Sequence, residues 1–294
     1  MSDPWLLPNA QTLGWCPERR GGGTPDSLIR RLKALPPNLM VDVGALDGSD
    51  AIAYAQAGHR VWSFEPTPSK LEPIRKRFAR EAARGASIRL FPYALSNESG
   101  SAGFVVNRAV AAPRMRRFVG DALGSAQDGL HAPPYGGGRE RAVVNVPVRT
   151  LDGLIPSGET VFMLKVDTQV RGKLGRPNCV ARAICTSQRA GLSAAQGFDY
   201  RVLLGAAQLL AEHRISLVVT EFSPELMPGR AAEARALVQH LHRHGYKCAP
   251  CRKSQKEQVR AHSYAQLLLS RGQWDNLVCR HGGVDLGTHG YFTH

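Results

Sequence analysis

Residues 40–66 read MVDVGALDGSDAIAYAQAGHRVWSFEP. The apolar run NLMVDV stops at Gly44, as expected of a strand buried on both faces. GSDAIAYAQAG predicts a helix that ends at Gly58, and HRVWSFEP predicts a second strand. Downstream, SKLEPIRKRFAREAARG predicts a second helix, with Ser69 as its N-cap and Gly85 closing it. SIRLFPYALS predicts a third strand. Strands alternating with helices at this spacing imply a parallel, right-handed βαβ array.

The array extends in both directions. Upstream, residues 1–25 form a Gly-rich lead-in, and DSLIRRLKAL predicts a helix ended by Pro36 and Pro37. Downstream, SGSAGFVVN and RAVVNVPVRT predict strands flanking an excursion, residues 107–142, rich in Gly, Pro and charge. TVFMLKVD predicts another buried strand, GFDYRVLLGAAQLLAEH a helix, RISLVVTEFS a strand and RAAEARALVQHLHRHG a further helix. SYAQLLLS and WDNLVCRH are candidates for late strands completing the sheet. Residues 26–284 are expected to form one domain, with 285–294 as a tail.

In open α/β sheets, ligands bind beyond the carboxyl ends of the strands. The polar residues there are Asp42, Gly44, Asp47 and Gly48 after the first strand and Glu65 after the second. Asp167 ends the strand in TVFMLKVD, and Glu221 ends the one in RISLVVTEFS. Glycines at such a place let a backbone approach a ligand closely. A carboxylate at Glu65, 21 residues beyond Gly44, can accept hydrogen bonds from a ribose diol. Taken singly, each glycine could be a plain turn and each acid a helix cap. Together their spacing indicates a nucleoside site. A dinucleotide loop needs G-x-G-x-x-G to seat a pyrophosphate. Here the order is Gly44-Ala45-Leu46-Asp47-Gly48, with an acid where the pyrophosphate would lie. S-adenosylmethionine, a sulfonium and an ammonium without phosphate, suits such a loop.

The chain has 294 residues and a formal net charge of +14. A cationic surface attracts phosphates, nucleic acid or anionic lipid. The arginines are dispersed without aromatic interleaving, so nucleic acid is not the expected substrate. No apolar run approaches the roughly 18 residues of a membrane span. The N-terminus lacks a basic start followed by an apolar stretch, so the expected setting is cytoplasmic, with the six cysteines as reduced thiols. Cys248 and Cys251 have no second Cys pair at zinc spacing, although His242 and His244 lie close by. They read as incidental thiols, and no metal is expected.

In series, these segments resemble the FkbM-type S-adenosylmethionine-dependent methyltransferases. The similarity runs through the opening stretch and its FEP, then FPYALSNESGSAGFVV, VPVRTLDGLI, LKVDTQ with GFDYRVLLGA, VVTEFSP and DNLVCRH. It covers about residues 38–280. It implies a Rossmann-like class I methyltransferase fold: a mostly parallel seven-stranded sheet with helices on both faces. It implies S-adenosylmethionine as cofactor, held by Asp42, Gly44, Ala45, Asp47, Gly48, Glu65, Pro66 and Ala94, with Asp47 able to face the ammonium. Methyl transfer to a sugar or other small-molecule hydroxyl needs alignment and a base within reach. Asp167 is the first candidate, Glu221 the second and His131 a remote third. The excursion at 107–142 is a candidate substrate lid. Lys165 could reach across its strand to a carboxylate or to solvent.

The chain departs from the family pattern in three places. ALDG stands where the family often has Ala-Asn-x-Gly, and Asp199 stands near a frequent Glu. The third is an insertion: Asp167-Thr168-Gln169 and Gly197-Phe198 are separated by residues 170–196. That segment carries five cationic side chains (Arg171, Lys173, Arg176, Arg182 and Arg189) and no carboxylate. Removing it restores the family sequence in frame. A valine codon begins GT and a glutamine codon can end AG, the borders of a spliceosomal intron, so a translated intron is one hypothesis and a genuine surface insertion the other. Universal inclusion of these codons in spliced transcripts would sink the intron. Two rivals to the methyltransferase remain at this level: an NAD-dependent oxidoreductase, and a non-catalytic basic binding protein on the same fold.

Overall fold

The computed structural model describes residues 32, 33, 35–108, 122, 123, 140–168, 198–224, 230–250 and 275–282. A seven-stranded sheet forms its centre, in the order β10-β11-β9-β8-β1-β2-β3. The strands are β1 (Leu39–Val43), β2 (Arg60–Phe64), β3 (Ile88–Phe91), β8 (Val161–Val166), β9 (Ile215–Phe222), β10 (Tyr246–Pro250) and β11 (Asp275–His281). β3, β2, β1, β8 and β9 are parallel neighbours. β11 runs antiparallel to both β9 and β10. This is a Rossmann-like α/β fold, a mostly parallel seven-stranded sheet with helices on both faces.

Side-chain alternation divides the sheet into two buried faces. Met40, Val61, Met163 and Leu217 pack with Ala51, Tyr54, Ile74 and Phe78 from α1 (Ser49–Gln56) and α2 (Pro68–Ala82). Leu39, Val41, Val161, Leu164 and Val218 face the other way. They meet Val202 and Leu203 of α3 (Asp199–Leu204), Leu209 and Leu210 of α4 (Ala207–Ala211), and Leu237 and Leu241 of α5 (Arg230–Arg243). Every residue of β1 is buried, because period-2 alternation there feeds two cores rather than one core and solvent.

The expected third strand divides. β3 ends at Phe91, and β4 (Ala94–Leu95) joins a second sheet, ordered β4-β7-β5-β6. β5 (Gly100–Arg108) and β7 (Glu140–Arg149) form a long antiparallel pair, and β6 (Ala122–Leu123) adds to β5. Both long strands therefore reach into the 107–142 excursion. The single helix expected after Phe198 breaks into α3 and α4 at Gly205. A Cβ there would lie 2.0 Å from the Ser96 carbonyl oxygen, so the backbone of the second sheet's first turn passes against it. α2 begins two residues earlier than predicted: Thr67 is its N-cap and Pro68 its first residue, a position that suits proline because a backbone N–H there would have no helical partner.

The late strand at 263–270 lies outside the described residues, and β10 takes the place beside β11. Cys248 of β10 faces Cys279 of β11 in register, and the two form a disulfide. The expectation of reduced thiols is thus corrected at this pair. Strand register, not sequence spacing, brings together two cysteines 31 residues apart. The lead-in, the inserted segment 170–196, Cys251, His131 and the tail beyond residue 282 lie outside the described residues.

Candidate active site

Asp42 sits in β1 between Ser63 of β2 and Lys165 of β8, its register partners on either side. All three side chains point to the α1 face. Ser63 donates its hydroxyl to Asp42 Oδ2 at 3.0 Å, and Lys165 Nζ donates to Asp42 Oδ1 at 3.2 Å. Lys165 also reaches Asp50 Oδ2 of α1 at 2.8 Å and lies 4.0 Å from Asp167 Oδ2. The open reading of Lys165 is settled: it turns to carboxylates. Burial works against its charge, but Asp42, Asp50 and Asp167 outweigh that and hold it well above the usual ammonium range. Burial raises the Asp42 carboxyl against the pull of Lys165. Burial likewise raises the Tyr54 phenol, so Tyr54 stays neutral beside this cluster.

The loop after β1 is clamped from three sides. Gly44 and Ala45 both donate their N–H to the Phe64 carbonyl oxygen, at 3.0 and 3.1 Å. Gly44 has φ 88°, and a Cβ on it would lie 2.0 Å from the Asp167 carbonyl oxygen. Gly48 has φ 79°, and a Cβ there would meet the Phe78 ring at 2.7 Å. Between them Leu46 also takes a left-handed conformation, φ 56°. A residue with a Cβ pays of order 1–2 kcal/mol for that region.

Glu65 is 3% exposed and organises the loop. Its Oε2 accepts the Leu46 N–H and its Oε1 accepts the Thr67 N–H, each at 3.0 Å. Each carboxylate oxygen keeps a further lone pair for a hydroxyl donor. Pro66 is half-buried beside it, and Ala45 is buried. Ala94 is buried within the core of the second sheet, with Phe104, Val146 and Val148.

Asp47 points elsewhere. Ser49 donates its N–H to Oδ1 at 3.0 Å and its hydroxyl to Oδ2 at 2.8 Å, and Arg77 lies 3.2 Å from Oδ2. Partial burial raises its carboxyl, but the Ser49 bonds and Arg77 bring it below the usual range. Asp47 is committed to the start of α1 and to α2.

A second group of acids closes the other side. Asp167 follows β8 immediately. Glu221 follows Thr220, the register partner of Val166, so the two acids end adjacent strands on the same face. Asp199, at the start of α3, is fully buried. Its Oδ1 accepts the N–H of Thr168 at 2.9 Å and also the Thr168 hydroxyl. Among the described residues, Asp199 Oδ2, Asp167 Oδ1 and Thr67 Oγ1 are buried without a hydrogen-bond partner. Burial raises the Asp199 carboxyl to about 7 despite the Thr168 bonds, and the nearby Asp167 charge adds to the rise. Sequence reasoning marked Asp199 only as a departure from a pattern. The usable signal was that it follows a strand-end acid across the insertion. Among the described residues no group of three or more His, Cys, Asp or Glu side chains is arranged to hold a metal.

The arrangement fits an adenosyl group. Glu65 is a buried carboxylate at the end of β2 with lone pairs left for a donor, and Gly44 and Gly48 let the loop backbone pack closely on Asp167 and Phe78. Two orphaned acceptors lie where an ammonium or a hydroxyl could donate.

Residues 42–169 match the model of the methyltransferase FkbM domain. Among solved structures, the chain is similar to the methyltransferase FkbM from Methylobacillus flagellatus KT, with 13% identity and a TM-score of 0.42 over 83% of this chain and 44% of that one. It therefore spans less than half of that protein's length. It is also similar to precorrin-6y C5,15-methyltransferase from Geobacter metallireducens GS-15, with 12% identity and a TM-score of 0.34 over 91% and 95% of the two chains. A third likeness is to a methyltransferase homolog protein from Pyrococcus horikoshii, with 10% identity and a TM-score of 0.37 over 90% and 73%. No curated protein matches the chain.

Proposed function

We propose that the chain, whose residues 42–169 match the model of the methyltransferase FkbM domain, is an S-adenosylmethionine-dependent methyltransferase acting on a hydroxyl of a sugar or other small molecule. The observation that carries this reading is Glu65. Two backbone N–H groups fix its carboxylate beside the Gly44 loop, as ribose recognition requires. The cofactor supplies an activated methyl group on a sulfonium, so the protein's own task is placement, exclusion of water and removal of one proton.

Gly44, Ala45 and Gly48 shape the cradle, and Asp42 supports it from below through Ser63 and Lys165. Asp167 is the proposed base: its orphaned Oδ1 takes the proton of the acceptor hydroxyl as the oxygen gains its methyl group. Glu221, at the adjacent strand end, positions the acceptor. Asp47, bound to Ser49 and Arg77, supports the loop rather than a ligand ammonium.

Calorimetry with S-adenosylhomocysteine tests the reading. The native protein should bind it, and Glu65→Gln should weaken binding about tenfold to a hundredfold, the value of one or two charge-assisted hydrogen bonds. Binding of NAD without S-adenosylhomocysteine would establish an oxidoreductase instead.

We propose a cytoplasmic setting, and no described helix is long and apolar enough to cross a membrane. The Cys248–Cys279 disulfide favours an oxidising compartment. Thiol alkylation of protein taken directly from its source cells, with and without prior reduction, decides between the two.

A further inference from the structure

Along the chain the arginines stand apart from aromatic residues, but strand register brings the two together. Arg60, Trp62 and Phe64 share the face of β2 opposite α1 and α2. Their neighbours in β3, the last strand of the sheet, put Arg89 beside Trp62 and Phe91 beside Phe64. The rings form a continuous row: the centroids of Trp62 and Phe91 are 5.2 Å apart, and those of Phe91 and Tyr93 6.3 Å. Phe64, itself buried, stacks on Phe91. Arg149, at the end of β7, places its guanidinium over the Tyr93 ring, 5.5 Å from the centroid, within cation–π range. Trp62, Phe91 and Tyr93 rest against the rim of the core and stay half-buried, whereas Arg60, Arg89 and Arg149 are exposed.

Each part has an ordinary explanation alone: rings at the rim of a core are common, and so are solvated arginines. Their alternation on one sheet face is what needs a partner. Glu159 binds Arg60 at 2.7 Å, but among the described residues no acid pairs with Arg89 or Arg149. The chain as a whole carries +14. We propose that this face of β2 and β3 is a docking surface for single-stranded nucleic acid. A single strand repeats one flat base and one phosphate per unit, and the row offers rings for the first and guanidinium groups for the second. Arginine planes also stack on bases. An acidic protein matches the charge but not the rings. An anionic bilayer needs apolar side chains that protrude from the surface, and these rings are half sunk in it. Stacking accepts every base, so the surface selects an unpaired strand rather than a sequence. Docking here does not depend on what the cradle binds.

The test is fluorescence anisotropy of a labelled oligodeoxythymidylate titrated with the full chain at several salt concentrations. The logarithm of the binding constant should fall against that of salt with a slope of about −2, the value for three arginines on a single strand. Arg89→Gln with Arg149→Gln should flatten the slope to about −0.7. Arg75→Gln with Arg80→Gln removes the same charge from the exposed face of α2, and should leave affinity within about twofold of native. Tyr93→Leu keeps apolar bulk against the core, and should weaken binding about tenfold at an unchanged slope. Native protein that fails to bind the strand overturns the inference. Equal losses from the two arginine pairs overturn it too, since they reveal diffuse attraction to a cationic protein. So does a folded Tyr93→Leu that binds like native, which leaves charge without stacking. Should Tyr93→Leu fail to fold, the two arginine pairs decide.

Discussion

The cradle at the ends of β1 and β2 and the corner at the end of β8 hold acids in opposite states. In the cradle every carboxylate oxygen of Asp42 and Glu65 has a partner: Ser63 and Lys165 for Asp42, two backbone N–H groups for Glu65. In the corner, Asp167 and Asp199 each keep a buried oxygen with none among the described residues. Buried polar groups are ordinarily satisfied, and an Asp199 carboxyl that keeps its proton has an O–H of its own to donate.

The comparison breaks most forcefully at Lys165, the one cation among the described residues that touches both regions. Lys165→Met leaves Asp42 buried beside Asp50 and Asp167 without a counter-charge, and should lower the unfolding free energy by about 3–5 kcal/mol in urea. Adding Asp42→Asn should return part of that loss, because the two residues act as a pair. An unchanged urea midpoint in the single variant would show that the cluster is not a structural unit.

A smaller effect sharpens the corner. Asp199 holds its proton up to about 7 in the folded chain, whereas the unfolded chain releases it near 3.9. The folded state therefore binds more protons across that window. Its stability should fall as pH rises from about 4 to 7, by at most about 1.4 kcal/mol per unit, and level off above. Asp199→Asn should flatten this slope and match the native protein near pH 4. Chemical denaturation at several pH values reads it, and an unaltered slope would show that Asp199 is ionised like an ordinary carboxylate.

The smallest effect is expected away from both regions. Arg60 and Glu159 form an ion pair of 2.7 Å at the surface, with Arg60 about half exposed. Glu159→Ala should cost less than about 1 kcal/mol and leave S-adenosylhomocysteine affinity unchanged. A larger loss would mean that the opposite end of the sheet carries stability the two buried regions are credited with here.

Much of the cradle was legible because it is local. Gly44, Gly48 and Glu65 lie within one βαβ unit, where strand ends and glycine punctuation can be read directly. The corner was half legible. Asp167 announced itself at a strand end, but Asp199 stands beyond 29 intervening residues outside the described structure. Asp47 was readable as a loop acid, yet whether it would face a ligand or Arg77 depended on where α2 packs. The cross-strand disulfide was hidden for a similar reason: Cys248 and Cys279 meet only through the register of β10 against β11.

By itself the amino-acid sequence determined the alternation of buried strands and helices, and which polar residues would stand at the strand ends. Hydrophobic period and turn chemistry are local properties, carried by each segment alone. Only the tertiary structure decided that Asp42, Ser63 and Lys165 would stand side by side, that Leu46 would be forced into a strained exposed turn, and that two acids would be left wanting a donor. Alternation along a strand assigns a side chain to a face. Which partner it finds there depends on strand order and register, and those are set by packing between segments far apart in the chain.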